Sequence, residues 1–365
     1  MKKTVLHDLH VSRKAKMMPF GGYDMPMQYE GIIKEHEAAR TGAAVFDTCH
    51  MGEFRIGGAG ALGDLENILS CDVSDLAVGA CRYGFMCNDS GGVIDDLIIY
   101  RIAEESFMTV VNAATAESDF EWIRAHISKN TSLENISAET AKIDINGPKS
   151  PHIVAALMKE PIDELKFFRF MNNFYKDTEL IVSRTGYTGE IGFEVYCPVG
   201  IAVEFWNDCV DHGATPAGLG SRDTLRIEMG YPLYGHELSA DRNASQPAFA
   251  RSISKKKGFI GSKAVLNPPI DSRILCGISI DGRRTARHGD TVKNNSGKDI
   301  GIVTSGSYSP TLGHAIAMAY IDKGYENIDT ILTVVSEKYE VVGKVCQLPF
   351  YKKSTGRADI KLYLS

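Results

Sequence analysis

Residues 82–102 read RYGFMCNDSGGVIDDLIIYRI, and this stretch predicts two extended runs joined by a tight turn. Both runs are rich in β-forming residues, and the DSGG sequence at 89–92 tolerates the positive φ angles of hairpin turns. FMTVVN at 107–112 predicts the next strand. GIIKEHEAAR at 31–40 predicts a helix, so the N-terminal half combines antiparallel strands with helices.

A second extended pair is predicted at 179–197, ELIVSRTGYTGEIGFEVYC, where glycines divide the apolar runs into strand, tight loop and strand. AVEFWNDCVDH at 202–212 and GSRDTLRIEMG at 220–230 predict helices. From about Arg273 onwards, short strands with regularly spaced turns predict a small β-barrel or sandwich. The pattern indicates an α+β protein with a domain boundary in the loop at 267–272.

Composition excludes several classes of protein. The 365 residues are too many for one small core, and 44% apolar with 24% charged residues is ordinary for a folded globular chain. A net charge of −6 gives no global field that would hold nucleic acid or an anionic membrane. The chain shows neither a signal peptide nor an apolar run long enough to cross a membrane. We therefore expect a cytoplasmic protein, or one of an organelle matrix as a mature chain.

The cysteine and histidine pattern gives no support for a metal centre. The eight cysteines contain no CxxC, which indicates reduced and mostly buried thiols. His7 and His10 are close in sequence, but no second ligand pair matches them elsewhere. Solvated surface histidines are the favoured interpretation, and no metal site is predicted.

Asp95 and Asp96 are successive residues of a predicted strand, so their side chains point to opposite faces. A carboxylate among apolar neighbours is costly unless it is paired, and such a position tunes a carboxylate for acid–base work. The alternative is an edge carboxylate paired with Arg101 or with water. The sequence alone does not decide between the two aspartates.

The loop at 184–194, RTGYTGEIGFE, is a candidate binding loop. Its glycines allow close approach of a ligand to the backbone, with Tyr187 as an aromatic wall and Glu190 and Glu194 as acceptors. A flat heterocycle rich in N–H donors would suit these groups. A plain hairpin turn is the alternative.

Two further features are weaker indications of function. Arg222, near the start of its predicted helix, offers a guanidinium fork for a carboxylate, although a surface ion pair is the more common role. TSGSYSPTLG at 304–313 lacks the lysine of a phosphate-binding loop, which favours a turn.

Together these motifs resemble the T-protein family of the glycine cleavage system, in that family's order and over essentially the whole chain. The resemblance implies a three-lobed α+β fold around a folate pocket. Residues 1–270 would form the catalytic region from two intertwined lobes, one of them at about 52–138, and 271–365 an antiparallel β-barrel. The matching segments are MPFGGYDMPMQY (18–29), FDTCHMGE (46–53), CNDSGGVIDDLIIY (87–100), VVNAAT (110–115), SRTGYTGEIGFE (183–194), PAGLGSRDTLRIE (216–228) and TSGSYSPTLG (304–313).

The resemblance also implies an activity. It is a tetrahydrofolate-dependent aminomethyl transfer from the lipoylated H-protein to tetrahydrofolate, with release of ammonia. Carried over by motif, Asp96 is the catalytic carboxylate, Glu194 binds the pterin edge, and Arg222 lies at the folate site and holds a tail carboxylate. The implied pocket walls are Tyr83, Asn112, Tyr187 and Tyr234.

Two alternatives to this activity stay open at this point: a folate-dependent demethylase of a small methylated compound, and a folate-binding accessory protein without turnover. Accessory relatives in iron–sulfur maintenance carry a KGCYxGQ-like signature where this chain has KGFIGS at 257–262, and the missing cysteine disfavours them.

Residues 239–254 depart from the family pattern, which bears on the pocket rim and on H-protein docking. We predict that H-protein docks on a local basic rim, because a lipoyl-bearing partner is usually acidic in this family. The predicted rim consists of Lys255, Lys256, Lys257, Lys352 and Lys353.

Overall fold

The structure is a computed structural model that describes residues 1–268 and 273–364. The chain forms two compact units that are not continuous in sequence. The first unit contains Met1–Gly84, Asp96–Arg222 and Ser354–Ser365, and the second contains Phe85–Asp95 and Asp223–Lys353. The predicted boundary at 267–272 lies mostly outside the described residues, so the division into 1–270 and 271–365 stays a prediction.

Helices and strands alternate through most of the chain. The helices are α1 His7–Ser12, α2 Ile32–Thr41, α3 Ala61–Ile68, α4 Ala116–His126, α5 Ser150–Leu157, α6 Ala202–Asp211, α7 Leu219–Glu228 and α8 Ser262–Leu266. The strands are β1 Lys16–Phe20, β2 Tyr23–Gln28, β3 Ala44–Asp47, β4 Gly52–Gly57, β5 Ala80–Cys87, β6 Val93–Ala103, β7 Ser106–Val111, β8 Ser132–Asn135, β9 Thr140–Asn146, β10 Phe170–Tyr175, β11 Thr178–Ser183, β12 Gly192–Pro198, β13 Thr215–Ala217, β14 Ile274–Ile280, β15 Thr291–Lys293, β16 Asp299–Ser309, β17 His314–Ile321, β18 Ile331–Val335 and β19 Glu340–Cys346.

The first unit is built on a six-stranded sheet in the order β10-β11-β12-β9-β3-β13. Strand β12 shows how the sheet is used, because both of its faces are buried. Phe193 and Val195 belong to the apolar core that also includes side chains of α5 and α6. By strand alternation, Glu194 and Tyr196 point to the opposite face. That opposite face is the one that carries charge.

A five-stranded sheet has the order β5-β6-β7-β4-β8. All its strands lie between residues 52 and 135, within the range predicted for one lobe, although the lobe division itself stays a prediction. The register pairs Glu53 with Val110, and Val110 with Ile98. Directly paired residues share a face, so these three side chains lie on the same side of the sheet.

The second unit contains a closed antiparallel barrel in the strand order β14-β17-β16-β15-β18-β19, which confirms the predicted C-terminal barrel. Short aliphatic side chains from its strands form the barrel core. The TSGSYSPTLG segment forms the end of β16 and the turn into β17, as predicted.

The atypical segment at 239–254 has a clear structural role within the second unit. It packs over the turn between β5 and β6, where the backbone N–H of Val93 donates to the carbonyl of Ser239 at 3.0 Å. A Cβ atom at Gly92 would lie 1.8 Å from the carbonyl oxygen of Ala240. Gly92 is therefore required by this close backbone approach and not only by the turn.

Most predicted elements are confirmed, but the expected exposure of His7 and His10 is wrong. Both side chains are buried. His10 Nε2 lies 2.8 Å from Asp47 Oδ2, and His7 Nε2 lies 3.0 Å from Asp24 Oδ2. Each imidazole packs into the fold because a carboxylate from another element satisfies it.

The cysteines are unbonded and mostly buried, as predicted. Within the described ranges, no group of three or more His, Cys, Asp and Glu side chains is arranged to hold a metal ion. No helix in the described part of the chain is long and apolar enough to cross a membrane.

Candidate functional site

Asp96 lies in β6 with its carboxylate held by two donors. The hydroxyl of Tyr83 donates to Oδ2 at 2.8 Å, and Nδ2 of Asn112 donates to Oδ1 at 2.8 Å. The structure thus brings together three of the residues predicted from sequence. Asp96 is half-buried, so its carboxylate is both oriented and accessible.

Asp95 occupies the opposite face of β6 and is fully buried, which confirms the predicted alternation. The alternative that an aspartate pairs with Arg101 is wrong. The Arg101 guanidinium donates to the backbone carbonyls of Leu76 and Glu104. Of the two aspartates, Asp96 is the more exposed.

Glu194 lies at the centre of a buried polar layer within the first unit, where the six-stranded sheet faces Tyr100 of the five-stranded sheet. Its Oε1 accepts from Lys142 Nζ at 3.0 Å, and its Oε2 accepts from Thr185 Oγ1 at 2.6 Å. The hydroxyls of Tyr196 and Tyr100 donate to Oε2 at 3.2 and 3.3 Å. Burial and the nearby Glu194 charge raise the pKa of Tyr100 well above its usual value, so this phenol stays a donor.

Asp144 extends the layer away from Glu194. Its Oδ1 accepts from Lys142 at 2.6 Å and from Thr48 at 2.8 Å, while Oδ2 accepts from Arg222 Nη1 at 2.7 Å. Burial alone would raise the pKa of Asp144, but Lys142 and Arg222 outweigh this and hold it below its usual range. The layer therefore contains two cations and two anions in alternation from Arg222 to Glu194.

Arg222 also contacts an aromatic ring predicted to line the pocket. Its guanidinium carbon lies 5.0 Å from the centroid of the Tyr187 ring, within cation–π distance. Nη1 is used by Asp144, whereas Nε and Nη2 have no hydrogen-bond partner among the described residues. Tyr234 belongs to the second unit, where its backbone bridges to Leu238, and its place in a pocket stays a prediction.

The loop at 184–194 is partly structural. Glu190 is not available as a ligand acceptor, because its Oε1 accepts from Arg40 at 2.9 Å and its Oε2 accepts from the hydroxyl of Thr355. The glycines do allow another group to approach the backbone closely, but that group is a side chain of the protein and not a ligand. A Cβ atom at Gly186 or Gly192 would lie 2.5 or 2.4 Å from Oδ1 of Asn146. Close packing against Asn146 thus accounts for Gly186 and Gly192, and the acceptor role of Glu194 stays a prediction.

Lys142 and Asp144 were missed by the sequence interpretation. The signal was present in β9, TAKIDIN, where charged residues alternate with apolar ones in a strand that is buried on both faces. Asp144 raises the pKa of Lys142 above its usual value, with help from Glu194 and against the effect of burial. The lysine is therefore a permanent cation at the centre of the layer.

His50 is a second missed residue, and its imidazole lies at the edge of the layer. Its side chain is 6% exposed, and Nδ1 has no hydrogen-bond partner among the described residues. Burial lowers the pKa of His50 to about 4, with Arg222 and Lys142 lowering it further and Asp47 opposing them. His50 is thus a neutral imidazole at physiological pH.

A buried layer of balanced charge, with an oriented aspartate at its accessible side, is typical of an enzyme that binds a polar small molecule. Comparison with known protein families supports this class of protein. Residues 6–257 match the family described as GCVT N-terminal domain, and residues 273–352 match the glycine cleavage T-protein C-terminal barrel domain. The chain therefore belongs to the glycine cleavage T-protein family.

Similar proteins extend this match over nearly the full length. The aminomethyltransferase of Halothermothrix orenii is 40% identical over 357 residues, covering 96% of this chain and 100% of the relative. That of Bacillus cytotoxicus is 41% identical and covers 97% and 99%. The crystal structure of glycine cleavage system aminomethyltransferase T from Bartonella henselae aligns with a TM-score of 0.90 at 30% identity, covering 97% and 99%. The chain is thus an aminomethyltransferase of the glycine cleavage system.

Proposed function

We propose that this aminomethyltransferase uses tetrahydrofolate as its acceptor and an aminomethyl-loaded, lipoylated H-protein as its donor. The observation that carries the proposal is the layout of one sheet face. Asp96, oriented by Tyr83 and Asn112, shares that face with Tyr100, whose hydroxyl donates to Glu194. A carboxylate for the reacting amine and a buried acceptor for a heterocycle therefore lie in one layer.

The proposed reaction replaces two bonds to one carbon atom. The methylene carbon of the donor gives up its bonds to sulfur and nitrogen and forms bonds to two nitrogen atoms of tetrahydrofolate. The two N–H protons that leave the folate end on ammonia and on the lipoyl thiol. Asp96 orients or deprotonates the attacking amine, and no covalent intermediate with the protein is required.

Glu194 is proposed to bind the pterin edge. A carboxylate oxygen accepts about two hydrogen bonds, and among the described residues only Lys142 donates to Oε1 of Glu194. One acceptor position on Oε1 thus remains for an N–H of the pterin. Lys142 fixes the orientation of this carboxylate before the ligand binds.

Arg222 is proposed to hold a carboxylate of the folate tail through Nε and Nη2, with Tyr187 as a neighbouring wall. Changing Arg222 to Ala should weaken tetrahydrofolate binding about tenfold to about a hundredfold, the usual cost of a charge-assisted contact. Calorimetry with tetrahydrofolate and with tetrahydropterin, which lacks the whole aminobenzoylglutamate tail and its carboxylates, separates two explanations. A tail contact predicts a loss for tetrahydrofolate only, whereas an equal loss for both ligands would mean that Arg222 acts by holding Asp144.

The complete proposal is tested by turnover. Aminomethyl-loaded H-protein and tetrahydrofolate should give ammonia and methylenetetrahydrofolate in equal amounts, and omission of either substrate should abolish both products. Ammonia release without methylenetetrahydrofolate would show that tetrahydrofolate is not the acceptor.

A further inference from the structure

A further carboxyl group, that of Glu53, lies at the polar layer and takes no part in the contacts described above. Its side chain is 1% exposed. The carboxyl group has no hydrogen-bond partner among the described residues, and Oε1 is completely enclosed. Native proteins rarely leave a buried carboxyl unsatisfied, because such a group loses its hydration without compensation.

The strand register places Glu53 on the functional face of its sheet. Glu53 in β4 pairs with Val110 in β7, which pairs with Ile98 in β6. Asp96 and Tyr100 lie two residues to either side of Ile98, so alternation puts them on the same face as Glu53. The unpartnered carboxyl therefore shares a surface with the proposed catalytic aspartate and with the tyrosine that contacts Glu194.

The charges of the layer determine the protonation of Glu53. Lys142 and Arg222 are already balanced by Asp144 and Glu194. Burial raises the pKa of Glu53 well above its usual value, and Glu194 raises it further, while Lys142 opposes both. Burial and Glu194 thus favour the protonated form of Glu53, which has one O–H donor and one carbonyl acceptor.

The layer needs such a donor if it binds a pterin. A reduced pterin presents N–H groups, but it also presents a carbonyl oxygen and ring nitrogens that accept hydrogen bonds. The donors around Glu194 are already used: Lys142 donates to Asp144 and Glu194, and the hydroxyls of Tyr100 and Tyr196 donate to Glu194. An O–H on Glu53 is the complement that the carboxylate of Glu194 lacks.

We propose that Glu53 is a ligand-binding residue of this site, which donates a hydrogen bond to an acceptor atom of the pterin while Glu194 accepts from the pterin N–H groups. This assignment rests on the proposed function. It makes one donating carboxyl group, Glu53, and one accepting carboxyl group, Glu194, the basis of heterocycle recognition.

Three substitutions separate the roles of charge, donor and volume. Glu53→Gln keeps a neutral donor of nearly the same shape, whereas Glu53→Leu and Glu53→Met remove the donor and keep apolar volume. Tetrahydrofolate affinity is measured by calorimetry, and the stability of the ligand-free protein by thermal unfolding. Glu134→Leu is the matched control, because Glu134 is an exposed carboxylate on the neighbouring strand β8, where it pairs with exposed Arg55.

We expect Glu53→Gln to bind tetrahydrofolate within about threefold of wild type. Glu53→Leu and Glu53→Met should bind it at least about tenfold more weakly, because a ligand acceptor is left unpaired in a dry site. Their ligand-free unfolding temperatures should equal or exceed that of wild type, because the substitution removes an unsatisfied acid. A structural role for Glu53 predicts the opposite stability result. Glu134→Leu should change neither quantity.

Three results would overturn the inference: wild-type affinity in Glu53→Leu, an equal loss of affinity in Glu53→Gln and Glu53→Leu, or a lowered ligand-free unfolding temperature in both apolar variants. Each is distinct from failure of the proposed function. If wild-type protein itself does not bind tetrahydrofolate, the acceptor assignment fails before Glu53 is tested.

Discussion

Asp96 and Asp95 are adjacent in sequence, yet their surroundings differ completely. Asp96 receives hydrogen bonds from Tyr83 and Asn112 and is half-buried, whereas Asp95 is fully enclosed on the other face. Changing Asp96 to Asn keeps the size but removes charge and basicity. We expect kcat to fall about 10²-fold or more with little change in folate affinity, measured by steady-state kinetics and calorimetry.

Asp95→Asn is the matched control for that measurement, because it changes the same strand and the same formal charge. We expect it to keep most of its kcat per folded molecule. Its full burial makes a loss of thermal stability the main expected effect, so the folded fraction is measured alongside the rate. Equal losses of kcat in the two variants would point to damage of β6, and an active Asp96→Asn enzyme would leave positioning alone as the source of catalysis.

His50 predicts a specific response of stability to acid. Its pKa is lowered from 6.5 to about 4 in the folded protein, so the unfolded chain binds the proton more readily between these values. Stability should therefore decrease as pH falls from 6.5 towards 4, by up to about 3 kcal/mol from this residue. Urea unfolding should show a smaller loss for His50→Gln than for wild type over that range.

The control for this experiment is His126→Gln, because His126 is exposed at the end of α4. It should retain the wild-type pH dependence. If His50→Gln and wild type lose stability in parallel, the buried imidazole is not the source of the acid sensitivity.

At the scale of elements, local sequence patterns correctly predicted the helices, hairpins and strands that form through interactions between near neighbours in sequence. The β5–β6 and β11–β12 hairpins, helices α2, α6 and α7, and the barrel strands follow from periodicity and turn residues within short windows. Glu190 shows the limit of prediction from short sequence windows. Its sequence neighbours suggest a ligand acceptor, but its partners Arg40 and Thr355 are 150 residues before it and 165 residues after it.

In the candidate site, too, the sequence predicted the features that depend on one strand but not those that depend on distant segments. Alternation correctly placed Asp95 and Asp96 on opposite faces, because that depends only on the strand. Which face is enclosed depends on segments far along the chain, and so does the pairing of Lys142 with Glu194. The buried layer was therefore beyond local reasoning, and the individual roles assigned to Glu194 and Arg222 came from the family resemblance.

At the scale of the whole molecule, binding of a charged partner depends on how the local charge of the docking surface differs from the net charge of the chain. The chain carries a net charge of −6, so an acidic partner is repelled on average and must be attracted locally. The predicted basic rim would supply that attraction. Lys255, Lys256, Lys352 and Lys353 are exposed, whereas Lys257 is half-buried, with its ammonium 5.7 Å from the ring centroid of Phe259.

We predict that these lysines accelerate association with H-protein more than they strengthen the final complex. The association rate, measured by stopped flow, should fall about tenfold as ionic strength rises from about 0.05 to about 0.5 M, because exposed charges are screened beyond a Debye length of about 10 Å at 0.1 M. Reversing Lys255 and Lys256 to Glu should lower the rate at low salt and flatten its salt dependence. Reversal of two exposed lysines elsewhere, Lys129 and Lys338, changes the net charge equally and should have a much smaller effect. Equal effects of the two double reversals would rule out the rim as the docking surface and leave only the net charge to steer association. A salt-independent rate would rule out electrostatic steering altogether.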